Sequence, residues 1–396
     1  MNSETRAEPA GLYIHIPFCL KKCSYCDFFS ITDLTLLDEF IIAMLREMER
    51  VGNSGLFFDT LYLGGGTPSL LEAEQAAQII TAAYENFNLA PSAEITMEMN
   101  PGTLTLAKLR GYRAVGVNRI NIGIQSLRDI NLNFLGRIHS ASDAVASVQT
   151  ARDAGFDNIG LDLIYGLPGQ SVKDWTADLK KTVQLRPEHL SCYILTFEQG
   201  TPLAQAKQAK HFVPLSEAEV GDLFEVTASF LQDKGYKQYE ISNFALESKL
   251  SGTDLRSRHN RKYWLNNSYI GIGPSAHSYI EPERWWNISD LKEYIKSISE
   301  NILPVAGKEI LSSEQRIMES IFLGLRTSEG IDIEKFKERF GLDFYEKCGA
   351  AVASLEDPGY LTASRRRLAL TSKGFLLHDS LTAIFLEAFS DGAGEP

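Results

Sequence analysis

GLYIHIPFCLKKCSYCDFF, residues 11–29, joins an extended segment to three thiols. Its first eight residues, GLYIHIPF (11–18), alternate in the manner of a β-strand. Cys19, Cys23 and Cys26 then fall at spacings of four and three, while the rest of the 396 residues holds only Cys192 and Cys348. Three thiolates on one loop suit a metal centre better than three free core cysteines. Zinc, with His15 as a fourth ligand, is a rival, but structural zinc prefers paired short spacings and the second pair is missing. A cubane iron–sulfur cluster usually takes four cysteines. Three would leave one iron open for a small molecule.

The pattern continues outward from this loop. Strand-like TLYLGGG (60–66), AEITMEMN (93–100), NRINIGIQS (118–126), NIGLDLIYG (158–166) and HLSCYILT (189–196) alternate with helical stretches at 34–51, 69–87, 104–116 and onward from SVKD (171–174). Ser69 and Glu72 have the spacing of a capping box. Six strands with helical crossovers predict a parallel sheet curled into a partial or full barrel with helices outside. Ile120, Ile122 and Ile124 alternate with Asn121 and Gln125, and Ile95, Met97 and Met99 with Glu94, Thr96 and Glu98. The apolar set can pack under the helices. The inward set is polar, so the barrel should enclose a cavity for a polar ligand rather than a filled core.

After about residue 200 the rhythm changes. YKQYEISNF (236–244) and YIGIGPSAHSY (269–279) look extended, and from about 311 the chain turns helical. GYLTASRRRLALTSKG (359–374) looks like a two-stranded wing. The division expected is a barrel over 1–200, an extension of it over 201–305, and a winged-helix-like α+β domain over 306–396.

Bulk properties exclude some classes. The net charge of −12 argues against a broad nucleic-acid or anionic-membrane footprint, and against a DNA-binding role for the wing with Arg365–Arg367 at its turn. No stretch reaches the roughly twenty apolar residues of a membrane span, and the N-terminus has no secretory pattern. Five cysteines form no disulfide framework, which suits a reducing cytoplasm.

CLKKCSYC resembles the CxxxCxxC signature of the radical S-adenosylmethionine (SAM) superfamily. The resemblance implies a partial (β/α)6 barrel, a 4Fe-4S cluster on Cys19, Cys23 and Cys26, and SAM bound at the open iron. GGGTP resembles the family segment at the methionine moiety, which carries over to Gly65, Gly66 and Thr67. YIHIP, EMNP, GIQS, LGRIH and DLIYG, together with GLPGQ, extend the likeness to the oxygen-independent coproporphyrinogen III oxidase family over nearly the whole chain. Tyr13, Glu98, Gln125, Arg137 and Asp162 match its SAM-contacting positions. An internal salt bridge of the two acids with Arg137 or Arg119 is the structural alternative.

Two branches of that family are open. The oxidase branch decarboxylates a tetrapyrrole, and Arg119, Arg137 and Arg256 are available charges for its anionic substrate. It typically carries a longer N-terminal segment and a further cysteine where this chain has Phe28. RHNRKYW (258–264) instead matches the HNxxYW pattern of the haem-chaperone branch. It implies haem as cargo at His259, Tyr263 and Trp264, with His277 a weaker candidate ligand. An imidazole is a common axial ligand of haem iron. That branch implies an acceptor protein for the haem, a possible electron donor and, at most, peripheral contact with a membrane haem protein. A histidine and two aromatics in a packed turn is the alternative reading of the motif.

Overall fold

The computed structural model describes residues 8–52, 54–247 and 253–390. Six parallel strands pair in chain order: β1 (Ala10–Ile16), β2 (Phe57–Gly65), β3 (Asn88–Met99), β4 (Arg119–Gln125), β5 (Ile159–Tyr165) and β6 (His189–Ile194). The crossovers are helical: α1 (Leu37–Val51), α2 (Ala73–Asn86), α3 (Leu106–Ala114), α4 (Asp129–Leu135), α5 (Ala141–Asp153) and α6 (Val172–Gln184). The outward faces of the strands supply the core beneath these helices. Leu12, Ile14, Ile95, Met97, Ile120, Ile122, Leu161 and Leu163 are all essentially inaccessible. This is the partial (β/α)6 barrel that the radical SAM resemblance implies, one of the two forms the strand–helix alternation left open.

One start signal is misplaced. The capping box expected at Ser69 and Glu72 lies three residues on, with Glu72 as cap and Gln75 answering it. Pro68–Leu70 forms a 3-10 turn first. Ser69 is spent inside that turn, bonding the Thr103 hydroxyl at 2.6 Å and accepting from the Asn100 N–H.

The sheet continues past both edges of the barrel. After α7 (Pro202–Gln208) and α8 (Glu217–Asp233), β7 (Tyr236–Gln238) and β8 (Asn243–Leu246) form a hairpin whose second strand pairs antiparallel with β6. Next comes a two-turn helix, α9 (Arg258–Trp264). At the other edge β9 (Tyr269–Ile272) pairs parallel with β1. It is followed by the antiparallel strands β10 (His277–Ile280), β11 (Glu283–Asn287) and, after α10 (Leu291–Ser299), β12 (Val305–Ile310).

The C-terminal region has its own core of Ile321, Leu325, Phe344, Leu368 and Phe385. It comprises α11 (Ser313–Leu325), β13 (Ile331–Asp332), α12 (Ile333–Phe340), α13 (Phe344–Glu356), the wing hairpin β14 (Leu361–Ala363) and β15 (Arg367–Leu370), α14 (Ser372–Phe375) and α15 (His378–Ser390). Charges tie it to the barrel: Arg326 pairs with the buried Glu240, and Glu329 with Arg256 and Arg261. No helix of the described residues is long and apolar enough to cross a membrane.

Candidate functional site

Cys19, Cys23 and Cys26 lie half-buried on the loop after β1, at the C-terminal mouth of the barrel where ligands of such folds gather. The Thr67 hydroxyl donates to Cys19 Sγ and the Arg137 guanidinium to Cys23 Sγ, each at 3.5 Å. Burial, offset in part by the Phe28 N–H, pushes the Cys26 thiol up to about 11. Among the described residues, no three Cys, His, Asp or Glu side chains converge on one metal ion. His15, the fourth ligand of a zinc site, is engaged through both ring nitrogens, to Tyr13 Oη at 3.0 Å and to the Phe29 carbonyl at 2.9 Å. A mononuclear zinc site is therefore not formed. Separate irons of a cluster, each taking one thiolate, suit the thiols better.

The glycines after β2 allow close approach. A Cβ on Gly66 would lie 2.6 Å from the Phe18 carbonyl and 3.0 Å from that of Ile16. Gly65, at φ +110°, would bring one within 2.6 Å of the His15 ring. Their N–H groups are already used, Gly66 by Ile16 at 2.8 Å and Gly65 by Glu98 at 3.2 Å. What these residues offer a ligand is room beside the backbone rather than free N–H donors.

Below the loop the inner face is polar, as the alternation of β3 and β4 requires. Glu98 accepts from Tyr62 Oη at 2.7 Å, and Asp162 from Asn121 Nδ2 at 2.5 Å. Burial pushes Glu98 up to about 7 despite its Tyr62 bond, with the Asp162 charge adding to the rise. Asp162 is raised by burial too, against the opposing pull of Asn121 and Ser191. Asp162 Oδ1 and Thr96 Oγ1 have no partner. The salt-bridge alternative does not occur. Arg137 Nη2 instead donates to Asn100 Oδ1 and to the Gly123 carbonyl, both at 2.7 Å. Arg119 donates to Asn158 Oδ1 and the Leu255 carbonyl, both at 3.0 Å. A lumen with surplus acceptors and two acids outside any ion pair among the described residues fits a ligand rich in donors, such as a ribose and an ammonium group.

Gln125 closes β4 at φ +61°, a left-handed conformation costing a side chain on the order of 1 kcal/mol. The register shifts there, from Gly123 opposite Asp162 to Gln125 opposite Leu163. This bulge bends Gln125 back over Gly123, whose added Cβ would lie 2.7 Å from Gln125 Nε2. Tyr13, Gly65, Gly66, Thr67, Glu98, Gln125, Arg137 and Asp162 thus share one wall system with the cysteine loop above it.

The HNxxYW residues lie beneath this wall, with the His259 ring centroid 6.4 Å from that of Tyr13. α9 closes the opposite, N-terminal end of the barrel. His259 is 1% exposed. Its Nδ1 pairs with Thr60 Oγ1 at 2.8 Å and its Nε2 with Tyr263 Oη at 2.9 Å. Its ring stacks on Tyr62, with centroids 5.0 Å apart. Burial, then the Lys262 charge, pulls it down to about 3. Glu94 receives the N–H groups of Arg258 and His259 at the start of the helix. Trp264 is half-buried with the Arg326 guanidinium 4.5 Å from its ring. Both ring nitrogens of His259 are thus engaged, as the packed alternative has it.

Sequence reasoning missed Tyr62, Thr60 and Asn100. Tyr62 and Thr60 carry a readable signal, since they alternate with buried Leu61 and Leu63 along β2 and share a face with Gly64. Asn100 follows the strand, and only its spatial neighbour Arg137 reveals it.

Residues 13–182 match the family model for the radical SAM superfamily, and residues 311–377 that for the HemN C-terminal domain. The chain is 34% identical to the haem chaperone HemW of Lactococcus lactis over 380 residues, 96% of this chain and 98% of the relative. HemW of Bacillus subtilis is also 34% identical, over 94% and 98% of the two chains. Among solved structures, coproporphyrinogen III oxidase (HemN) from Escherichia coli, a radical SAM enzyme, superposes with a TM-score of 0.81 at 25% identity, covering 97% of this chain and 91% of that one.

Proposed function

The chain belongs to the HemW family within the radical SAM superfamily, and from that premise we propose that it is a haem chaperone, binding haem and passing it to an acceptor protein in a reducing cytoplasm. The superfamily implies a 4Fe-4S cluster and SAM. Cys19, Cys23 and Cys26 hold the cluster in this reading. When bound it supplies a low-potential electron and an open iron for a small ligand.

The chain's own residues set the rest. Thr67 and Arg137 donate to two of the three sulfurs and orient the loop. Tyr13, Gly65, Gly66, Thr67, Glu98, Gln125, Arg137 and Asp162 receive SAM. Glu98 and Asp162 supply acceptors, and Arg137 braces the mouth by joining Asn100, Gly123 and Cys23. The observation that carries the reading is the placement of three half-buried thiols above a polar lumen in which Asp162 Oδ1 and Thr96 Oγ1 lack a hydrogen-bond partner.

The decarboxylase reading requires free positive charge for an anionic tetrapyrrole. Arg119 is 2% exposed, Arg137 is bonded as above, and Arg256 is paired with Asp254 and Glu329. Phe28, at the position of the oxidase's further cysteine, is 65% exposed.

The test is anaerobic reconstitution followed by two assays. Haemin titration should give a saturable Soret band. Incubation with coproporphyrinogen III, SAM and a low-potential reductant should give no protoporphyrinogen, with 5′-deoxyadenosine release as the control for a competent cluster. Decarboxylation with turnover, or no haem binding, overturns the chaperone reading.

A further inference from the structure

Haem iron takes its protein ligand from a side chain whose lone pair is free and reachable. Five of the seven histidines, His15, His139, His189, His259 and His378, are buried. His211 and His277 are exposed. His277 opens β10 and stacks on Trp286 of β11, with ring centroids 5.9 Å apart and planes 26° apart. The two lie opposite each other in the ladder, and Trp286 lies opposite Gly307 of β12. A Cβ at Gly307 would come 2.5 Å from the indole, so the glycine lets Trp286 lie down against its strand. The result is a flat shelf near the edge of the sheet, on the second and third strands from β1.

The indole restrains the imidazole plane without using its nitrogens. Among the described residues no side chain or backbone group hydrogen-bonds the His277 ring. Burial, then the Arg284 charge, holds its pKa below the ordinary value, so the ring is neutral near pH 7. Tyr279 and Tyr269 extend the aromatic row toward β1, with ring centroids 6.2 Å apart. Tyr269 pairs with both Gly11 and Tyr279, so this row shares its sheet face with Tyr13 and the SAM wall.

We propose that His277, braced by Trp286, is the protein ligand to the iron of the haem cargo, and that the cargo sits on this outer shelf rather than at His259. This rests on the haem-chaperone reading. An exposed imidazole also suits delivery, because an acceptor's ligand can reach the iron and exchange with it.

Haemin titration of the reconstituted full chain tests the site. Relative to wild type, His277→Ala should weaken haem binding at least about tenfold and shift the Soret band, with added imidazole restoring the band. His211→Ala should leave both unchanged. Thermal melting confirms that the surface variants stay folded. Wild-type affinity and spectrum in His277→Ala, or a loss in His211→Ala alone, overturns the site while leaving the chaperone reading intact. A wild-type chain that takes up no haem overturns both.

Discussion

Glu47 is a carboxyl among apolar helices, 2% exposed, and every bond it makes is accepted. Tyr294 donates at 2.5 Å, Asn287 at 2.6 Å and the Gly273 N–H at 2.9 Å, which pins the turn before β10 to α1. Burial outweighs these bonds and pushes it up to about 7. A carboxyl raised in the folded state favours folding while protonated. Its contribution is therefore largest below the unfolded pKa near 4.5 and is lost as pH rises toward 7, a difference of roughly 3 kcal/mol. Chemical denaturation at pH 5 and pH 8 should show wild type losing stability across that window, and Glu47→Gln should flatten the loss. Arg137 permits a second prediction. Its planar fork reaches Asn100, Gly123 and Cys23 together, and an ammonium cannot. Arg137→Lys should weaken SAM binding about tenfold in calorimetry, with iron content unchanged. Of these two, Arg137 was legible from its motif. Glu47 was not, because its meaning lies in partners more than two hundred positions away.

At the scale of elements, α9 decides how the HNxxYW motif is understood. Its seven residues are too few for a periodic signal, and its contacts to Asp59, Thr60 and Glu94 span well over a hundred positions. Sequence alone fixed the motif's identity but left its direction open, into the floor or out toward a ligand. His259→Ala removes two buried hydrogen bonds and a stacked ring. It should cost about 2–4 kcal/mol in urea melts while leaving the haem spectrum as in wild type. The glycine turn is a second such element. Gly66→Ala forces a methyl against the Phe18 carbonyl, so the cysteine loop must shift. A fall of about 1–3 kcal/mol in stability, with reduced iron uptake, is the expected result.

At the scale of the whole molecule, the barrel core lies beneath the helices and the cysteine loop rides on its rim. Folding should therefore not await the metal, unlike a zinc finger. A Cys19→Ala/Cys23→Ala/Cys26→Ala chain should keep its far-ultraviolet circular dichroism and melt within a few degrees of the metal-free wild type. The six parallel strands were readable because strand and helix periods alternate over nearly two hundred residues. The added edge strands were less so, since four-residue segments such as β9 and β10 declare themselves only by what they pair with. The buried floor has one more consequence. Lys262, His259 and Arg119 are buried at the N-terminal end of the lumen, opposite the mouth that carries the cysteine loop. On the proposed reading, a ligand settled above SAM at that mouth would have to depart before SAM or its fragments could. A cargo parked outside on the shelf would escape that queue, and the two ligands could come and go independently.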